Sequence, residues 1–145
     1  MLFRSDYLGG KQFPKPFWAY DVFEHEASMA NHRMPEHRSD LFERVRDKFA
    51  DYPQVHLVKG RIPESFAGNS PNRIAYLHID LNQAPAEVAA LDSLFDRMVP
   101  GGILILDDYE WSMIYRSQKL AEDEWFDRRG YRVMSLPTEI GRAHV

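Results

Sequence analysis

The chain contains no cysteine, which excludes disulfides and thiolate metal sites and fits a cytoplasmic protein. No apolar run approaches the roughly 18 residues that a membrane-spanning helix needs. The opening M-L-F-R-S-D-Y has no apolar core of the signal-peptide type. No Lys/Arg cluster stands out and the formal net charge is −4, which argues against a nucleic-acid surface and against a basic membrane patch. Internal repeats and low-complexity segments are also missing. So is a glycine-rich loop followed by a helix, because Gly9-Gly10 lies too close to Phe17 for a helix to fit between them. What is present is an ordinary globular composition. Its 145 residues are 44% apolar and 28% charged, the size of one domain with a moderate core.

Along the chain, F-W-A-Y-D-V-F (residues 17–23) is aromatic and β-branched and reads as a strand carrying Asp21 near its end. Residues 24–38 hold three His and three Glu without a clean period and read as a loop or broken helix. Asp40 is placed to cap a helix, with Glu43 at the capping-box distance. Leu41, Phe42, Val45 and Phe49 form its apolar stripe, and Pro53 stops it. Val55 to Val58 reads as a short strand. I-A-Y-L-H-I-D (74–80) is nearly continuous in apolar residues, as in a parallel strand covered on both faces. Pro85 suits the first turn of a helix whose face is Val88, Leu91, Leu94, Phe95 and Met98. Pro100-Gly101-Gly102 ends that helix, and Ile103 to Leu106 reads as the next buried strand. A polar helix is expected over 112–128, closed by Gly130, then a final strand over 131–136. Strands alternating with helices indicate an open, mainly parallel α/β sheet.

In such sheets ligands bind outside the carboxyl ends of the strands. Asp21, Asp80, Asp107 and Asp108 all fall there. If the strands ending at Asp80 and Asp107 are neighbours, they lie about 4.8 Å apart, and three carboxylates approach one small volume. Repulsion would then keep one of them protonated unless a divalent cation joined them. Oxygen-only ligands suit Mg²⁺ or Ca²⁺ better than Zn²⁺. Each Asp taken alone also reads as a turn former or helix cap. His78, inside a strand, reads as a core histidine. Trp111 and Tyr115 directly follow the acid pair and are candidate walls of a substrate pocket.

L-H-I-D-L-N-Q-A-P-A-E-V-A-A-L, then L-F-D-R-M-V-P-G-G-I-L-I-L-D-D-Y, then S-L-P-T, resemble the macrocin-O-methyltransferase-like (TylF-like) class I S-adenosylmethionine-dependent methyltransferases. The resemblance covers residues 17–138 and is best over 74–109. It implies a Rossmann-like methyltransferase three-layer sandwich with a mainly parallel sheet. It implies Asp21 on the ribose hydroxyls of S-adenosylmethionine, and Asp80, Asp107 and Asp108 on Mg²⁺. Asp80 would also lie against the cofactor and serve as general base in methyl transfer to a hydroxyl of a small-molecule acceptor. A homo-oligomer is left open. The chain departs from the family pattern at Asn82, which stands where better-known members have a second acid. It also lacks the family's first strand with its glycine-rich loop, and the last strand or strands. These losses predict weak or no S-adenosylmethionine binding by the 145 residues alone. Two rival readings are a methyltransferase-like binding module without catalysis, and another Mg²⁺-dependent α/β enzyme such as a phosphotransferase or hydrolase.

Both termini read as foreign. Residues 140–145 translate atc gga aga gca cac gtc, which resembles read-through of a common short-read sequencing adaptor. Residues 2–5 match ctc ttc cga tct, its reverse complement. The expected organisation is therefore adaptor-derived residues 1–5, a partial methyltransferase domain over 6–139, and adaptor-derived residues 140–145.

Overall fold

The computed structural model describes residues 11, 13–25, 35, 37–110, 113–136 and 141–144. They fall into two compact units divided between Ser70 and Pro71.

The first unit is a β-α-β arrangement. Strand β1 (Phe17–Asp21) pairs in parallel with β2 (Val55–Lys59), from Phe17 opposite Val55 to Asp21 opposite Lys59. Aromatic side chains hold the unit together. Trp18 stacks on His56 at 4.2 Å, Phe66 meets Tyr20 edge-on at 4.9 Å, and Phe42 meets Phe23 edge-on at 5.0 Å. β1 is shorter than its composition predicts. Phe23 takes a left-handed φ of 53° and its N–H donates to Asp21 Oδ1, so the chain turns immediately after the acid. Helix α1 (Leu41–Lys48) starts after Asp40, but no capping hydrogen bond forms. Asp40 has φ −96° and ψ 11°, away from the extended backbone that aims a side chain at the first turn. Its carboxylate lies 3.3 Å from Arg44 Nε instead.

The second unit carries the acid-bearing strands. β3 (Ile74–Ile79) lies parallel to β4 (Met98–Leu106). β6 (Gly141–His144) and β5 (Met134–Ser135) follow in the order β3-β4-β6-β5, and β6 is antiparallel to both its neighbours. Residues 141–144, set aside in reading the sequence, thus form a strand beside β4. The expected final strand shrinks to two residues, whose ladder partners are Arg142 and Gly141.

Pro100-Gly101-Gly102 does not precede β4 but lies inside it. Ile74 faces Met98 while Tyr76 faces Ile103, so β4 carries three more residues than β3 across this step. Pro100 has no N–H to lose from a ladder, which suits a bulge. Gly101 takes a φ of +80°, and a Cβ on Gly102 would come within 2.8 Å of Val99 O.

Helices α2 (Ala84–Leu94) and α3 (Arg116–Arg129) pack against one another. Leu91, Leu94, Phe95, Trp125 and Phe126 are buried in this unit with Ile79, Leu104 and Leu106 of the sheet. Each such side chain contributes about 2 kcal/mol of transfer free energy. Trp125 Nε1 donates to Asp92 at 2.7 Å, so burying the indole leaves no orphan donor. A 3₁₀ turn (Met113–Tyr115) precedes α3, so the α-helix starts later than expected. Gly130 ends it at φ 76°, and Tyr131 N–H returns to Phe126 O, a Schellman-type stop.

Candidate active site

The β3–β4 register decides which acids meet. Ile79 is paired with Leu106, and Asp107 N–H donates to Ile79 O at 2.9 Å. Asp80 and Asp107 therefore leave neighbouring strands at the same level, with Asp108 next in the chain. Asp108 takes a φ of 55°, a conformation that Asp tolerates better than most residues. Its carboxyl is held above the usual carboxylate range, first by partial burial and then by the charges of Asp107 and Asp80. Tyr115 is buried, and its hydroxyl pKa is raised by burial and by Asp108 and Asp80, which brings it into this group. Trp111 lies outside the described residues.

The carboxylates are neighbours without sharing one focus. Among the described residues no three His, Asp or Glu side chains form a group able to hold a metal ion. The hydrogen bonds give the reason. Asp107 Oδ1 accepts its neighbour's N–H, from Asp108 at 3.1 Å. Asp107 Oδ2 lies 3.5 Å from His78 Nε2, an ion-pair distance without a formed hydrogen bond. Asp80 Oδ1 accepts from Asn82 Nδ2 at 3.1 Å. Oxygen donors of this kind suit a hard divalent cation, but the Asp80 and Asp107 carboxylates are turned toward protein partners. His78, expected in the core, is half-buried and faces Asp107.

Asn82 explains what replaces the expected second acid. At φ 57° it curls back over Asp80. An amide there donates to the carboxylate, whereas a second acid would repel it.

Beneath the acids lies a second acidic pair that strand-end reasoning missed. Glu87 of α2 and Glu122 of α3 are both fully buried. Glu87 Oε1 accepts the N–H groups of Leu81 and Asn82 at 2.8 and 3.1 Å. Burial pushes its pKa up to about 7, against the lowering effect of those two bonds. Glu122 has no hydrogen-bond partner on either oxygen, and burial followed by the charge of Glu87 pushes it up to about 9. The signal was helical spacing. Glu87 shares a face with Ala90, Leu91 and Leu94, and Gln118 and Glu122 share one with Trp125 and Phe126.

The loop after the acids is anchored to α3. Gln118 Nε2 donates to Asp107 O at 3.1 Å. Tyr109 is buried; its hydroxyl donates to Asp123, and Lys119 Nζ lies 3.0 Å from that oxygen and 2.8 Å from Asp123 Oδ2. Burial and the Asp123 hydrogen bond push the phenol up to about 12, so it stays a donor.

In the first unit, Asp21 ends β1 with its backbone carbonyl accepting Gly60 N–H and Oδ1 accepting Phe23 N–H. It is exposed at the strand tip, a placement suited to hydroxyl donors.

Comparison with known proteins turns this arrangement into a family assignment. The family model for macrocin-O-methyltransferase (TylF) matches residues 11–127. The chain belongs to the TylF family. The chain is also similar to the 8-demethyl-8-(2,3-dimethoxy-α-L-rhamnosyl)-tetracenomycin-C 4′-O-methyltransferase of Streptomyces olivaceus, 31% identical over 107 residues. That match takes in 63% of this chain and 41% of the relative, so the chain spans less than half of the relative's length. Among solved structures, the O-methyltransferase NovP aligns with a TM-score of 0.73 at 17% identity, covering 99% of this chain and 65% of NovP. The calicheamicin methyltransferase CalS11 aligns with a TM-score of 0.71 at 13% identity, over 97% of this chain and 65% of its own. These likenesses show the α/β Rossmann-like methyltransferase fold, and the chain spans about two thirds of the length of those neighbours.

Proposed function

We propose that this TylF-family chain belongs to an S-adenosylmethionine-dependent O-methyltransferase whose acceptor is a hydroxyl on a small molecule, a sugar of a glycosylated natural product being the first class to test. The observation that carries the reading is the pairing of Ile79 with Leu106, which aligns Asp80 with Asp107 and Asp108. The acceptor class follows from the rhamnosyl-tetracenomycin methyltransferase to which the chain is similar.

In this reading Asp21 accepts hydrogen bonds from the ribose hydroxyls of the cofactor. Asp80 takes the proton from the acceptor hydroxyl as general base. Asn82 holds Asp80 in place through its amide. Tyr115 forms one wall beside the acids, and Trp111 is a candidate for another. S-adenosylmethionine supplies an activated methyl group, and a Mg²⁺ ion held by Asp80, Asp107 and Asp108 would polarise the acceptor oxygens. In-line methyl transfer depends mainly on positioning, so the backbone that carries Asp80 matters as much as its carboxylate.

The test is transfer of labelled methyl from S-adenosylmethionine to rhamnosylated acceptors, by the protein at the full length of its relatives, with and without EDTA. Product formed in wild type and lost in Asp107→Ala is expected. No transfer to any hydroxyl acceptor overturns the reading. A metal-independent variant is the second reading, favoured by the lack of a converging carboxylate group among the described residues. Full activity in EDTA would select it.

A further inference from the structure

Glu87 is an acid where an aliphatic residue would be expected. It lies on the buried face of α2, in line with Ala90, Leu91 and Leu94. Burying a carboxylate is costly unless hydrogen bonds compensate. Oε1 takes two backbone N–H groups, those of Leu81 and Asn82. These are the two residues directly after Asp80. Asn82 is held at φ 57° and returns its side-chain amide to Asp80 Oδ1. A continuous path therefore runs from the interior to the strand-end acid: Glu87 Oε1, the Asn82 backbone, the Asn82 amide, Asp80. Glu87 Oε2 has no hydrogen-bond partner, and Glu122 of α3, whose charge and that of Glu87 act on one another, has none on either oxygen.

From this we infer that Glu87 is a positioning residue: it sets the turn after β3 and thereby the direction in which Asp80 presents its carboxylate. An apolar side chain at this position would bury as well but would leave two amide donors without an acceptor. The turn would then relax toward water, and Asn82 would leave Asp80. The role assigned to Asp80 rests on the methyltransferase reading, whereas the effect of Glu87 on the turn does not.

The experiment compares wild type with Glu87→Gln, Glu87→Asp and Glu87→Leu in the full chain, by amide hydrogen exchange and by the carboxyl carbon resonance of Asp80. Gln keeps a carbonyl oxygen at the same reach, so protection of Leu81 and Asn82 is expected within about twofold of wild type. Asp keeps the charge but is one methylene short. It is expected to speed exchange at both amides at least about tenfold and to shift the Asp80 resonance, with Leu91 and Leu94 of α2 unchanged. Leu is expected to act like Asp, and should it fail to fold, the Asp and Gln variants carry the test. Unchanged protection of Leu81 and Asn82 in Glu87→Asp overturns the inference. So does loss shared equally by Leu91 and Leu94, which would make Glu87 a helix stabiliser alone. In the full-length enzyme, Glu87→Asp should lower kcat at unchanged KM for S-adenosylmethionine. Absent methyl transfer in wild type would sink the functional reading and leave the exchange result standing.

Discussion

The molecule holds two groups of acids a few residues apart, and they behave oppositely. Asp80, Asp107 and Asp108 stand at the strand tips, where Asp80 accepts from the Asn82 amide, Asp107 accepts from the Asp108 N–H, and His78 lies at ion-pair distance from Asp107. Glu87 and Glu122 lie under them in the α2–α3 seam, out of reach of water. The same functional group thus stands once at an open strand end and once inside a helix seam. Only location separates the uses: a tip carboxylate is free to exchange partners, and a seam carboxylate is committed to those the helices provide.

The largest effect expected from this contrast is on chemistry. Asp80→Asn in the full-length protein should lower methyl transfer about a thousandfold while leaving the melting temperature near wild type; rates and thermal melts together check it. Wild-type activity in that variant would remove the tip acids from the mechanism. Next comes the seam. Glu122→Leu removes an unpartnered buried carboxyl and should stabilise the fold by about 2 kcal/mol at pH 8, measured by denaturant titration. A loss of stability would show that Glu122 is satisfied after all.

The same residue sets a pH dependence. Glu87 and Glu122 titrate near 7 and 9 in the folded chain, above the usual carboxylate range. Below that range both states hold these protons and pH has no effect through them. Above it the unfolded chain releases protons that the folded chain keeps, so stability falls as pH rises toward about 9. Glu122→Leu should flatten the upper part of that slope in melts recorded across pH. A smaller effect is expected for Asn82→Ala, which deletes one donor to Asp80 and should cost about tenfold in rate. The smallest belongs to the exposed Lys11–Asp51 pair. Lys11→Ala should leave the melting curve unchanged, and a clear shift would show a role that exposure hides.

The strand tips were legible because an apolar run ending in acid has one reading in a parallel sheet. Ile74–Ile79 and the acids after Leu106 follow from it. The direction of each carboxylate was not legible. It depends on Asn82 and Asp108 adopting positive φ, which no periodicity encodes. Glu87 and Glu122 were readable in principle from helical spacing, but a charged residue on an apolar face is easily assigned to solvent. Pro100-Gly101-Gly102 was read as a strand boundary because its residue types break regular structure, whereas the parallel ladder resumes on both sides of it. Residues 141–144 gave no pattern of their own and take strand form from the exposed side of β4.

That bulge has an effect on the strand-tip acids that reaches beyond its own shape. Ladder pairing resumes at Tyr76 opposite Ile103 and continues to Ile79 opposite Leu106. The alignment of the acids is therefore counted from Gly102 forward, not from the start of the strand. Residues 99–101 act as slack in a cord knotted further along. Their number can change while the knot keeps Asp80 level with Asp107, so the acid-bearing end of the sheet is insulated from changes in chain length at its other end.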